Sequence, residues 1–310
     1  MFGLSLPDRI PGTCGPGGKI FGMPLKKRHE NPPVIFLIYR RPDLTKEALQ
    51  AIRVARPGRL YVVADGPRDG DERLKTEAAR QVVREGVEWE CDVRWNAAET
   101  NMGLANRVSS GITWAFQTCD HAIILEDDCM AHRDFFRFCS ELLHRYGKDN
   151  RVMAITGDNF QNGRLRGRAS YYFSMYPHCW GWATWRRAWA KYEHQLPDWE
   201  KVRAFLADVG NQPTLDYWER ARGQVEQGNV DSWNYRWTFS IWAHRGLTVT
   251  PNYNLVSNVG FGEGATHTKG ASRAPLAHGM PFPLRHPWRV RRNAEADAFA
   301  SREWFRIAGA

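Results

Sequence analysis

The sequence has no apolar run near the ~20 residues of a membrane span, and Gly and Pro interrupt residues 1–33 wherever a secretory leader would need a continuous apolar stretch. A spanning helix and a cleaved leader are therefore not expected. CxxC pairs are also missing. The six cysteines (14, 91, 119, 129, 139 and 179) fall mostly inside apolar runs, which reads as buried free thiols in a reducing compartment, not a disulfide framework. Internal repeats and low-complexity tracts are absent, which excludes solenoids, collagen and coiled coils. The expected location is cytoplasmic, either free or peripheral to the inner face of a membrane.

What is present is an ordinary globular composition, 310 residues with 43 % hydrophobic and 25 % charged, enough for one large domain or two modest ones. Lys and Arg total 43 against 34 Asp and Glu, and the net charge of +9 favours anionic partners. One count is out of line. There are 14 Trp, and nine of them lie between Trp180 and Trp242.

Order is expected to begin after a loose basic N-terminal arm, residues 1–33. Val34–Tyr39 is a short apolar run typical of a buried strand, and Pro42 and Asp43 open a helix to about Ala55, with Asp43 or Thr45 as N-cap. Leu60–Ala64, Cys91–Trp95, Ala122–Leu125 and Val152–Thr156 read as further strands, and Glu72–Arg84, Met102–Phe116 and Arg133–Tyr146 as helices. Apolar runs alternating with helices at this spacing predict an α/β fold with a mostly parallel sheet covered on both faces. Ligands of such sheets bind beyond the carboxyl ends of the strands, where the unusual residues of this sequence cluster. Past Gly163 the alternation stops; the Trp-rich segment 180–245 looks largely helical, and Thr248–Val259 extended.

Glu126-Asp127-Asp128 directly follows the apolar run Ala122–Leu125. Adjacent carboxylates repel, and each one placed near a core carries a desolvation cost. A divalent cation relieves both, and hard oxygen ligands suit Mg²⁺ or Mn²⁺. In an extended chain Glu126 and Asp128 point one way and Asp127 the other, so metal and sugar or ribose hydroxyls can be served by neighbours. Capping of the next helix by Asp128 is the plainer reading, but it leaves Glu126 and Asp127 unexplained.

Ile38-Tyr39-Arg40-Arg41-Pro42-Asp43, Val62-Val63-Ala64-Asp65-Gly66, Asn101-Met102-Gly103-Leu104-Ala105-Asn106 and Leu125-Glu126-Asp127-Asp128, in that order, resemble a nucleotide-sugar glycosyltransferase of the GT-A fold. Glu126-Asp127-Asp128 followed by a helix with Asp134-Phe135-Phe136 is similar to the N-acetylglucosaminyltransferase I-like group. The resemblance continues through Gly181-Trp182, Asp231-Ser232-Trp233 and the loop near Gly260-Phe261-Gly262, covering roughly residues 33–268. It implies a Rossmann-like donor half at 34–160, a Trp-rich, mainly helical acceptor and base half of the same domain at 161–270, and a basic C-terminal tail at 271–310. By the same resemblance Arg41 lies near the uracil and phosphates, Asp65 accepts from the uracil N–H, and Asn101 belongs to the donor site. Glu126 and Asp127 contact ribose or sugar hydroxyls, and Asp128 binds the Mn²⁺ or Mg²⁺ that bridges the donor diphosphate. Asp231 is the general base of an inverting displacement on an acceptor hydroxyl; the membrane-compatible tail, and not the resemblance, points to a carbohydrate or glycolipid acceptor, as in surface polysaccharide synthesis. The family has two adjacent acids before this Trp, whereas Asp231-Ser232 has one, so Asp158 stands as fallback base.

Plainer readings run beside these. Asp65 in Asp-Gly-Pro suits a turn, Asp231 suits an N-cap, and His267, a candidate metal or phosphate contact, suits an exposed loop. Trp182, Trp185 and Trp189, and Trp233 and Trp237, have helical spacing, which suits core packing; Trp182 and Trp233 are also candidates for stacking an acceptor sugar, and exposed Trp suits a membrane interface. Arg285, Arg289, Arg291, Arg292 and Trp288 would draw the tail to anionic headgroups. A nucleotidyltransferase of related fold is disfavoured because Tyr39–Asp43 lacks the Gly-rich loop expected after the first strand. No nucleic-acid partner is expected: the basic residues are dispersed, and an acidic triple repels phosphate.

Overall fold

The computed structural model describes residues 31–261 and 275–309. Its central sheet is built from short runs of consecutive apolar residues, the pattern of strands covered on both faces. These are β1 (Val34–Ile38), β2 (Arg59–Ala64), β4 (His121–Glu126) and β6 (Val152–Thr156), while the more polar β3 (Asp92–Ala97) lies at one edge. Amphipathic helices α1 (Pro42–Ala55), α2 (Gly70–Gly86), α3 (Leu104–Ala115) and α4 (Arg133–Arg145) alternate with them, and the short β5 (Cys129–Ala131) follows β4. The helix starting at Pro42 uses proline at its first position, where a missing N–H costs nothing. Arg41 precedes it without a side-chain cap, and the Thr45 hydroxyl donates back to the Arg41 carbonyl at 2.8 Å, so neither Asp43 nor Thr45 is the N-cap.

Among the described residues the sheet has eight strands in the order β3-β2-β1-β4-β8-β6-β9-β7, completed by β7 (Tyr171–Ser174), β8 (Trp182–Trp185) and β9 (Leu247–Pro251). β8 runs antiparallel to β4 and β6, β7 antiparallel to β9, and the remaining pairs are parallel. The expected α/β layout, a mostly parallel sheet flanked by helices, is what the chain adopts. A second, two-stranded sheet pairs β5 with β10 (Val256–Asn258).

The Trp-rich stretch departs from the expected helix at its start. Trp182 and Trp185 lie in β8, so their spacing is that of a buried strand, and only the short α5 (Arg186–Trp189) follows directly. Further on, α6 (Trp199–Val209), α7 (Gln212–Glu226) and α8 (Trp233–Ala243) are helical. Seven of the nine Trp of this stretch are buried. Trp182 stacks on Trp233 at 5.3 Å and lies 6.0 Å from Trp237, so their faces meet each other.

The segment 275–309, expected as part of a basic tail, packs against β7 through α9 (Ala294–Glu303). Arg292 bridges to Phe173, and buried Asp297 accepts from the Ser174 hydroxyl at 2.6 Å and pairs with Arg292 at 3.1 Å. Ala296, Phe299 and Ala300 are buried, so apolar residues spaced between the charges decide the outcome. The five described cysteines are free thiols, and no helix among the described residues is long and apolar enough to cross a membrane.

Trp182 is 2 % exposed and Trp288 is 85 % exposed. Trp182→Ala is expected to lower unfolding free energy by about 3–5 kcal/mol, and Trp288→Ala to change it by less than about 0.5 kcal/mol. Urea denaturation checks both.

Candidate active site

Leu37 of β1 pairs with Glu126 of β4, so the ends of these two strands lie side by side. Here the sheet order reverses: β2 and β3 extend to one side of β1, β4 and its neighbours to the other. Such a switch point opens a crevice beyond the strand carboxyl ends. Tyr39, Arg40 and Arg41 line one wall and Glu126, Asp127 and Asp128 the other.

Two of the acids are held by hydrogen bonds. The Tyr39 backbone N–H donates to Asp127 Oδ2 at 3.2 Å. Arg41 donates to Asp128 Oδ2 at 3.0 Å, and Asn258 Nδ2 donates to Asp128 Oδ1 at 3.2 Å. The Trp233 side chain lies close to Glu126. Asn258 is in place because β10 pairs with β5, which also lets the Val259 N–H donate to the Asp128 carbonyl at 3.0 Å. A Cβ on Gly260 would overlap the Asp128 carboxylate, so the chain passes this close only as glycine. Burial, then the charges of Asp128 and Asp127, raises Glu126; burial, then Asp128, raises Asp127. Burial also raises Asp128, opposed by Arg41. Burial and mutual repulsion therefore oppose full ionisation of the cluster, and a bound cation would favour the ionised forms.

At the end of β2, Asp65 is 7 % exposed. Its Oδ1 accepts from the Gly66 and Met102 N–H groups at 2.8 and 2.9 Å, and its Oδ2 accepts from Asn101 Nδ2 at 3.0 Å. Asp65 and Asn101 are thus brought together at the end of β2. Burial raises the Asp65 pKa against these bonds and the nearby Arg107. Gly103, at φ +79°, turns the chain into α3 and cannot cap it. Asp231 caps α3 from across the chain, accepting from Leu104 N–H at 2.8 Å and Ala105 N–H at 3.2 Å, while Ser232 caps α8. Carboxylates are favoured at a helix N-terminus by the dipole.

Other expectations turn out differently. Asp158 is 1 % exposed: Oδ2 accepts from the Trp180 N–H at 2.9 Å, Oδ1 has no partner, and burial raises its pKa strongly. It is enclosed, with almost no surface open to solvent. Trp182 and Trp233, candidate sugar platforms, are each 2 % exposed because they pack on one another. His267 lies outside the described residues. Among the described residues, no group of three or more His, Cys, Asp or Glu side chains is arranged to hold a metal.

Four contributors were not anticipated. Glu72, read as part of a surface helix, accepts from the Tyr39 hydroxyl and from Arg68 N–H and pairs with Arg40. Arg107 is 5 % exposed and donates to Asn96. Asn258 and Gly260 complete the acidic wall. Of these, only Gly260 left a signal, in the Gly-rich stretch from 260.

No protein-family model matches the chain, and no curated protein does. Among solved structures it is similar to residues 1–349 of S. aureus TarS, at 10 % identity and TM-score 0.39, covering 71 % of this chain and 58 % of that one. It is similar to the mannosyltransferase PcManGT from Pyrobaculum calidifontis in complex with GDP-Man and Mn²⁺, at 12 % identity and TM-score 0.42, covering 69 % of each. The UDP-glucose pyrophosphorylase complexed with UDP-glucose matches at 10 % identity and TM-score 0.36, covering 71 % of this chain and 89 % of that one. These likenesses carry no assignment of activity; that rests on the chain's own residues.

Gly260→Ala is expected to displace the Asp128 carboxylate and lower the unfolding free energy by about 1–3 kcal/mol while the far-ultraviolet circular dichroism stays unchanged. Urea denaturation checks it; wild-type stability in this variant would contradict the close approach.

Proposed function

We propose that the protein is an inverting glycosyltransferase that moves a sugar from a nucleotide-diphosphate donor, a UDP-sugar, to the hydroxyl of a carbohydrate or glycolipid acceptor, of the kind used in surface polysaccharide synthesis. The observation that carries this reading is the desolvated triple Glu126-Asp127-Asp128 at the switch point, facing Arg41 and neighbouring the Asp65 loop. Three of the roughly four lone-pair positions of an ionised carboxylate are used on Asp65. The fourth suits the N–H of a uracil, with Asn101 fixing the carboxylate plane. Arg41 suits the diphosphate, to which a guanidinium binds in a fork geometry. Glu126 and Asp127 suit donor hydroxyls. Tyr39–Asp43 follows β1 without a glycine, unlike the loop of a nucleotidyltransferase.

The donor set fits Mg²⁺ or Mn²⁺ held by Asp128 together with donor phosphates, since hard cations commonly take one or two carboxylates plus substrate oxygens. The repulsion between these buried carboxylates is the feature such an ion would relieve. When bound, the ion neutralises charge on the departing diphosphate. Asp231 takes the proton of the acceptor hydroxyl as its oxygen bonds to the anomeric carbon and the diphosphate leaves from the opposite face. The bonds to Leu104 and Ala105 N–H orient that carboxylate.

Two variants test the assignment. Asp231→Asn keeps an oxygen for the α3 N–H groups, so stability should change by less than about 1 kcal/mol, while transfer falls by about 10²–10⁴-fold. Asp128→Ala is expected to abolish metal-dependent transfer and donor hydrolysis in a folded protein. Undiminished turnover in either variant removes that residue from its role.

A further inference from the structure

At the end of the sheet where β6 begins, the last residue of α4, the turn before β6 and the segment before α9 line an open surface cavity of about 550 Å³. Arg145, Arg151, Arg289 and Arg291 line it, with Trp288 at its rim. Arg151 is balanced by Asp149, which it contacts at 2.7 Å. Among the described residues, no carboxylate lies within ion-pair distance of Arg145, Arg289 or Arg291. The chain carries no Asp or Glu from 275 to 294. Arg289 sits over the Trp288 ring at 4.0 Å, and that indole is 85 % exposed.

We propose that this arginine cavity and Trp288 dock the protein on an anionic phospholipid bilayer, with headgroup phosphates in the cavity and the indole in the interfacial region. Exposed indoles are favoured at the membrane–water boundary because one edge is apolar and the other donates a hydrogen bond. The guanidinium on its face stays beside phosphate while its stem and the ring cover each other. A free phosphate would engage the arginines and leave Trp288 unused. A single-stranded nucleic acid needs basic residues along a groove with several stacking rings, whereas here the charges surround one indole. Docking places the strand-start end of the sheet on the lipid and leaves the crevice at the carboxyl ends of β1 and β4 open on the opposite edge.

The test is flotation of the full chain with vesicles of phosphatidylcholine alone or mixed with phosphatidylglycerol. Binding to the mixed vesicles alone, weakening with salt, is expected. Arg289→Gln and Arg291→Gln should each weaken it about fivefold, the equivalent of roughly 1 kcal/mol per basic residue near an anionic surface. Trp288→Ser should weaken it further at unchanged thermal midpoint, and Arg84→Gln on α2 should not. The proposal is overturned if the wild-type chain stays with the soluble fraction. It is also overturned if the three variants float as the wild type does, or if they weaken binding to a single-stranded oligonucleotide by a protein that ignores vesicles.

Discussion

Three consecutive carboxylates pushed out of water by β4 are the constraint to which the surrounding structure answers. Asp127 meets the backbone after β1, Asp128 meets the Arg41 guanidinium and Asn258 of β10, and the Trp233 side chain of α8 lies close to Glu126. These contacts do not remove the cost of burying the carboxylates together. Gly260 has no side chain because the Asp128 carboxylate occupies that space. Such a cluster is costly as structure alone and is suited to a cation and polyhydroxylated ligand.

The Trp-rich region serves the site indirectly. Trp233 packs on Trp182 in the core, while Asp231, two residues earlier, holds the N-terminus of α3. The loop leading into α3 carries Asn101 and Met102 to Asp65. Residues 231–233 therefore join the tryptophan core to the loop at the end of β2.

Much of the first half of the sheet was legible because its signals are local. Buried parallel strands announce themselves as unbroken apolar runs, and Val152–Thr156 spans the strand found in the structure. Acids directly after such a run have few structural uses. The Trp-rich side was harder, since Trp182 and Trp185 three apart satisfy both a helix and the two ends of a short buried strand, and pairing with β4 and β6 decides between them. Tyr171–Ser174 was overlooked as a strand because the aromatic run is only four residues long. Glu72 and Arg107 looked like ordinary helix-surface charges; their burial depends on partners over thirty and about ten residues away, which no local pattern reveals. The basic tail hid apolar positions that pack on β7.

The central claim is that the crevice between β1 and β4 binds a nucleotide diphosphate in company with a divalent ion. Thermal unfolding with UDP, with Mn²⁺ and with both measures it most directly, because a ligand that binds the native state raises the midpoint in proportion to its occupancy. UDP and Mn²⁺ together are expected to raise Tm by more than the sum of their separate effects, with no such gain in Asp128→Ala. An unchanged Tm at saturating UDP and Mn²⁺ would contradict the claim.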